Sequence, residues 1–257
     1  MRLATFNVLH GRPMPGGRPG DASDGRPLAE AIAALDADIL ALQEVDRHRD
    51  RSGRADQALA AATAMGAADW RFASAGPGLT VHSARDAGQG GPSQGIALLT
   101  RLPVLDWRAM RMAPAWLPVP VKAVGEPGIG LFFDHPRVAL AAVLDGPSGP
   151  FTVAASHLSL MPPWNAAQLN AMRRWIAPLP RPHLLLGDLN MPGVVPALVL
   201  GPGWRDLARG FTFPAHRPVL QIDHVLASGL GPDAVRRAEV PVIPVSDHRP
   251  LVVEVEL

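Results

Sequence analysis

Short apolar runs in this chain break off, one after another, on carboxylates, amides and imidazoles. Leu3-Ala4-Thr5-Phe6 ends on Asn7, Ile39-Leu40-Ala41-Leu42-Gln43 on Glu44, and Val153-Ala154-Ala155-Ser156 on His157. Leu184-Leu185-Leu186-Gly187 leads into Asp188 and Asn190, Asp223 sits inside the run from Leu220 to Leu226, and Asp247-His248 precede the last run. Runs of this length read as buried strands. A strand-end Asp or Asn taken alone is usually a turn cap, and a lone His is usually a hydrogen-bonded structural residue. The set constrains more than its members do. Glu44, Asp188, Asp223 and Asp247 at the ends of strands in one sheet bundle would repel one another unless a cation or protons neutralised them.

Strands are read at 2–8, 38–43, 95–100, 104–111, 183–187, 221–227, 234–240 and 251–256. A hairpin spans 137–145 and 151–156 around Asp145-Gly146-Pro147-Ser148-Gly149. Helical spacing covers 27–36, with Leu28, Ile32 and Leu35 on one face and Pro27 suited to a first turn, then the Ala-rich 55–65, then 164–177. Gly/Pro-rich stretches at 11–20, 86–95, 113–130, 145–150 and 201–203 read as loops inside one domain, since no repeat or low-complexity linker divides 1–257. Groups of strands with helices between them predict an α/β fold of two packed sheets covered by helices on their outer faces. The 257 residues, 47% of them hydrophobic, suffice for a well-buried core, and no apolar run reaches the ~18–20 residues of a membrane-spanning helix.

Composition narrows the chemistry. Without cysteine there are no disulfides, thiolate ligands or thiol nucleophiles, and without tyrosine no phenol takes part. An oxygen-dominated ligand set then points to a hard ion, Mg²⁺ or Mn²⁺. The formal charge of +1, with acidic and basic residues interspersed, lacks the basic stripe of a protein that tracks a polynucleotide. Lys122 is the only lysine in an Arg-, Ala-, Pro- and Gly-rich chain, which reads as GC-rich coding bias. The start, Met1-Arg2-Leu3-Ala4, lacks a secretory apolar stretch, so a cytoplasmic location is expected.

Thr5-Phe6-Asn7-Val8, Leu42-Gln43-Glu44-Val45, Ser156-His157-Leu158, Gly187-Asp188-Leu189-Asn190, Ile222-Asp223-His224-Val225 and Ser246-Asp247-His248-Arg249-Pro250 follow one another in order. In these motifs, nearly end to end, the chain resembles the endonuclease/exonuclease/phosphatase superfamily of metal-dependent phosphohydrolases. The resemblance implies a four-layer α/β/β/α sandwich of two mixed sheets flanked by helices. It also implies that Asn7 and Glu44 hold a divalent cation, Mg²⁺ or Mn²⁺, with Asp247 reaching the same ion or a second position. Asp188 would orient or deprotonate the attacking water, Asn190 would hold a phosphate oxygen through its amide, and His157 would donate to a nonbridging or leaving-group oxygen. Asp223 would pair with His248 and support its positive charge, and Asp188 and His248 are both suited to be the general base.

The reaction so implied is hydrolysis of a phosphate ester, most simply a phosphodiester. The same centre serves nucleases, phosphatases and phosphodiesterases, so loops must choose the substrate. Abasic-site endonucleases carry a tyrosine near the place of His157, which moves this chain toward the histidine-bearing branch. Met110, Met112, Ala113, Pro114, Trp116, Leu117, Pro118, Val119 and Pro120, with Leu160-Met161-Pro162-Pro163-Trp164, form either an apolar rim for a lipid or small organic phosphodiester or a lid packed over core. Trp164 also suits a hydrophobic staple. A nuclease acting on DNA or RNA is the alternative, with Arg47, Arg49, Arg51 and Arg54 as its basic residues and Arg101 as a phosphate clamp. A non-catalytic metal-dependent scaffold is the alternative of another class. His10, Gly11 and Arg12 follow the first strand closely enough to shape the mouth of the site.

Overall fold

The computed structural model describes residues 1–13, 25–76, 78–86, 89–121 and 130–257. In chain order the elements begin with β1 (Arg2–Asn7), α1 (Arg26–Leu35), β2 (Ile39–Arg47), α2 (Gln57–Met65), β3 (Asp69–Ser74), β4 (Thr80–His82), β5 (Ser93–Thr100) and β6 (Val104–Met112). They continue with β7 (Val119–Val121), β8 (Gly130–Phe132), β9 (Arg137–Gly146), β10 (Gly149–His157), α3 (Trp164–Ile176), β11 (His183–Asp188) and α4 (Val195–Leu200). The last are β12 (Trp204–Asp206), β13 (Asp223–Ser228), β14 (Val235–Glu239) and β15 (Leu251–Val255).

One sheet runs β14-β15-β1-β2-β5-β3-β4 and the other β12-β13-β11-β10-β9-β6, while β7 and β8 pair as a small ribbon. Both large sheets are mixed: β1 lies parallel to β2 and β10 parallel to β11, and their other pairings are antiparallel. Alternation explains the layers. Leu3, Ile39, Leu98, Leu140, Val153, Leu184 and Val225 meet between the sheets. Residues of opposite parity, such as Ala4, Phe6 and Leu40, face α1 and α2, and Ala154, Leu185 and Leu226 face α3 and α4. Strands buried on both faces have to be apolar throughout, hence the continuous runs in the sequence. The architecture is the expected α/β/β/α sandwich.

Boundaries differ in instructive ways. Helix α2 starts at Gln57 because Asp56 caps it, its carboxylate accepting from Leu59 N–H at 3.1 Å. The hairpin extends to Gly146 and Gly149, leaving only Pro147-Ser148 as its turn. Strand β13 starts at Asp223, since Leu220 pairs back onto Phe213. Periodicity gave no sign of β3, β4, β7, β8, β12 or α4, all short or polar on one face. Of the stretches read as loops, 14–20, 87–88 and 122–129, with Lys122, lie outside the described residues. Among the described residues, no helix is long and apolar enough to cross a membrane.

Candidate active site

The strand-end residues converge because β1, β2, β10, β11 and β13 deliver them to one edge of the sandwich. His157 is level with Asp188 across the parallel β10–β11 pair, and Asp188 is level with Asp223 across β11–β13. Two backbone devices bring the strands together. Gly187 has no Cβ where one would lie 2.0 Å from the Ser156 carbonyl oxygen. On β2, a bulge between Leu42 and Val45 leaves Glu44 left-handed, with φ 54°, and turns it out of the ladder.

Asp188 is the hub. Its Oδ2 accepts from Asn7 Nδ2 at 3.1 Å and lies 3.5 Å from His157 Nε2 and 3.7 Å from His248 Nε2. Its Oδ1 accepts from Asn190 N–H at 3.0 Å. Asn7 Nδ2 also donates to Glu44 Oε1 at 3.1 Å, while Asn7 Oδ1 accepts from Leu9 N–H. Asn7 therefore turns its N–H groups, not its oxygen, toward the two carboxylates. Ser246 Oγ donates to the Asn7 carbonyl at 2.6 Å and brings Asp247 and His248 alongside.

The two histidines are driven apart in acidity. Burial pushes the His157 imidazole down to about 4, outweighing the opposing pull of Asp188. Burial also acts against charge on His248, but Asp223, hydrogen-bonded at 2.9 Å, together with Asp188 and Asp247 overcomes it and holds the ring up at about 10. Burial raises the Asp247 carboxyl, and Glu44 and Asp188 push the same way against His248.

The donor set suits a hard divalent cation. Buried Asp223 Oδ1 has no hydrogen-bond partner among the described residues, and Glu44, Asp188 and Asp247 crowd together in a chain without cysteine. Asp188, Asp223 and His248 offer ligand atoms that all lie within 4.8 Å of one another. That cluster differs from the expected Asn7, Glu44 and Asp247 set. Asn190, left-handed at φ 50°, spends one amide N–H on the Leu158 carbonyl at 3.0 Å.

Of the arginines read as nucleic-acid contacts or clamps, Arg47, Arg51, Arg54 and Arg101 pair with carboxylates, the Arg54 pair on the exposed surface. Arg47 is fully buried against Asp56 at 2.8 Å, Arg51 grips Asp46 at 2.7 Å, and Arg54 pairs with Asp50 at 2.7 Å. Arg101 ties Asp36 to the Met65 carbonyl. The apolar rim is half lid and half surface: Met112, Ala115 and Met161 are buried, whereas Trp116 is 76% exposed and Leu117 and Leu160 are exposed. Trp164 is the first residue of α3 and meets the Trp116 ring edge-on at 6.4 Å. Sequence reasoning passed over His224, whose ring nitrogens lie 2.7 Å from Asp206 Oδ2 and 2.8 Å from the Met191 carbonyl, bracing the turn that carries Asn190. Asp206, far away in the sequence, gave no hint of that pairing.

A sandwich whose sheets meet at a buried carboxylate–imidazole centre defines a class of α/β/β/α proteins built around such a site. A family model described as the endonuclease/exonuclease/phosphatase family matches residues 4–248, and the chain belongs to that family. The family includes phosphatases, phosphodiesterases and nucleases, mostly hydrolases of phosphate esters that use divalent metals. Among solved structures, a functionally unknown conserved protein from Enterococcus faecalis V583 is similar at 20% identity and TM-score 0.69, covering 100% of this chain and 99% of that one. A mannosyl-6-phosphatase from Bacteroides thetaiotaomicron VPI-5482 is similar at 19% identity and TM-score 0.64, with 100% of both chains covered. Humanized TDP2 from D. rerio is similar at 14% identity and TM-score 0.60, covering 98% of this chain and 97% of that one. No curated protein matches the chain in sequence.

Proposed function

We propose that the chain, as one domain over 1–257, is a divalent-metal-dependent phosphodiesterase that hydrolyses a P–O ester bond by attack of water on phosphorus. The observation that carries this reading is the hub at Asp188, one buried carboxylate within 3.7 Å of Asn7, His157 and His248. Glu44 and Asp247, with Asn7 beside them, would hold Mg²⁺ or Mn²⁺. When bound, such an ion supplies positive charge that polarises a phosphoryl oxygen and stabilises the leaving oxyanion.

The chain's own groups divide the remaining work. Asp188 orients the water and takes its proton as the new O–P bond forms and the ester P–O bond breaks. His248, kept protonated by Asp223, is poorly placed to be the base and supplies positive charge to the crowded phosphorus instead. His157, neutral because it is buried, donates a hydrogen bond to a phosphate or leaving-group oxygen. Asn190 offers its second amide N–H to another.

The engagement of Arg47 and Arg51 with Asp56 and Asp46 supports a small ester over a nucleic acid. The exposed Trp116 beside Trp164 supports an organic or lipid group on that ester. The test is hydrolysis of bis(p-nitrophenyl) phosphate and of the matching monoester with Mg²⁺, Mn²⁺ or EDTA, with Asp188→Ala as control. Metal-dependent turnover that favours the diester and is lost in the variant is expected. Turnover no higher than the Asp188→Ala background would overturn the enzymatic reading in favour of a binding scaffold. A steep loss of activity with salt on DNA or RNA, absent on the small ester, would favour a nuclease.

A further inference from the structure

The backbone is strained beside this site, in the turn that follows β1. Leu9, His10 and Gly11 are left-handed in succession, with φ of 42°, 48° and 76°. Only glycine takes that region freely, and side-chain-bearing residues persist there when the surroundings over-determine them. Here they do. Asn7 Oδ1 accepts from Leu9 N–H, Gly11 N–H donates to the Val8 carbonyl at 2.8 Å, and Gln57 Nε2 donates to the His10 carbonyl at 2.7 Å. Ser246 N–H closes the far end on the Arg12 carbonyl at 2.8 Å. A Cβ on Gly11 would lie 3.0 Å from Gln57 Nε2, so a side chain there would crowd the amide that holds the His10 carbonyl.

The strain presents one side chain. His10 is half-buried among Glu44, Asp46 and Arg51, and its Nδ1 is shielded from solvent with no hydrogen-bond partner among the described residues. An orphaned N–H is rarer in proteins than an orphaned acceptor, and burial, joined by the Arg51 charge, works against a second proton on this ring and outweighs the opposing pull of Asp46 and Glu44. The proton of the neutral ring therefore belongs on Nε2, on the edge away from the sheltered nitrogen. We propose that His10 is a further substrate-binding residue of this site, donating Nε2–H to an anionic phosphoryl oxygen of the ester. The inference rests on the reading of the site as a phosphate-ester centre. Strain is thereby spent on fixing a neutral donor beside Glu44 and Asp46, where a phosphate oxygen needs N–H partners.

The test uses full-length protein with Mg²⁺ and reads inorganic phosphate binding by calorimetry together with kcat and KM on the aryl ester. His10→Gln carries an amide N–H out to about the reach of Nε2. His10→Asn suits the left-handed backbone but stops short, and His10→Gly relieves the strain and removes the donor. Phosphate Kd and KM are expected to rise by about tenfold or more in the Asn and Gly variants, as loss of one hydrogen bond to a charged group gives. The Gln variant stays near wild type, and kcat changes little in all three. Thermal midpoints run the opposite way, with Gly and Asn at or above wild type and Gln below it.

Equal phosphate affinity in wild type and in the Gly variant would overturn the proposal, as would affinity losses that follow the thermal midpoints, or no phosphate binding by wild type. If wild type binds phosphate through His10 yet shows no Asp188-dependent turnover, the hydrolytic reading fails and the His10 contact stands.

Discussion

Asp223 and His248 meet through a 2.9 Å contact between Oδ2 and Nδ1, with both side chains almost closed off from solvent. The contact fixes which ring nitrogen faces Asp223, so Nε2 is left turned toward Asp188 at 3.7 Å. Replacing Asp223 by Asn keeps the shape but removes the charge that holds the imidazolium. A loss in kcat of about 10²–10³-fold is expected, the usual share of a positioned acid–base group. Steady-state kinetics on the aryl diester check it, with the thermal midpoint as the folding control.

Gly187 faces a different constraint, since an added methyl would sit 2.0 Å from the Ser156 carbonyl inside the β10–β11 pair. Backbone cannot yield as a flexible side chain does. Gly187→Ala is expected to destabilise the protein by about 3 kcal/mol, at the upper end of overpacking effects. Urea unfolding measures it, and a change below 1 kcal/mol would mean that the two strands separate more easily than their pairing implies.

Arg47 and Arg101 should respond unequally to truncation. Arg47 is fully buried, and its loss leaves the Asp56 carboxylate, 7% exposed, without its countercharge. Arg47→Met is expected to cost about 3–5 kcal/mol. Arg101 pairs with the exposed Asp36 and bonds a single carbonyl besides, so Arg101→Ala should cost clearly less than Arg47→Met. Chemical denaturation of both variants decides the matter, and neither should alter KM if both arginines serve the fold alone.

Much of the candidate site was legible because strands buried on both faces must be apolar, so any polar residue at their ends stands out. Asn7, Glu44, His157, Asp188 and Asp223 were found in that way, and the order of the motifs reinforced it. What stayed hidden depends on contacts distant in sequence. Arg101 looked like a phosphate clamp because nothing local announces its bond to the Met65 carbonyl, 36 residues away. The Asp206–His224 pair was invisible for the same reason. The bulge at Glu44 and the left-handed run at Leu9–Gly11 are imposed by neighbours, not by local preference. The strand Asp69–Ser74 was missed because its alternating Asp69, Trp70, Arg71 and Phe72 are too few to establish a period.

His183 gives the fold an acid-sensitive element away from the site. It is buried, Nε2 bonds the Leu179 carbonyl at 3.0 Å, and burial lowers its pKa despite that bond. The unfolded chain thus takes up this proton first as pH falls. Its contribution to stability is complete above the unfolded value of about 6.5 and is lost as pH drops toward the lower folded value. His183→Gln keeps a donor for Leu179 but does not titrate. The fall in thermal midpoint between about pH 7.5 and pH 5 should be smaller in the variant than in wild type, and equal falls would exclude His183 as a source.

Metal and charge at Glu44 should trade places in stability. Without a cation, Glu44, Asp188 and Asp247 repel one another across the site, relieved by N–H groups of Asn7 and Asn190 and by His248. Mg²⁺ or Mn²⁺ binding only the folded chain adds about 2.7 kcal/mol at a hundredfold excess over Kd, and EDTA removes the gain. Glu44→Gln preserves the oxygen that accepts from Asn7 but discards the charge. In EDTA the variant should be as stable as wild type or more so, and in excess metal less stable, so that the two melting curves change order. If metal raises the midpoint of both proteins equally, Glu44 is not among the residues that hold the ion.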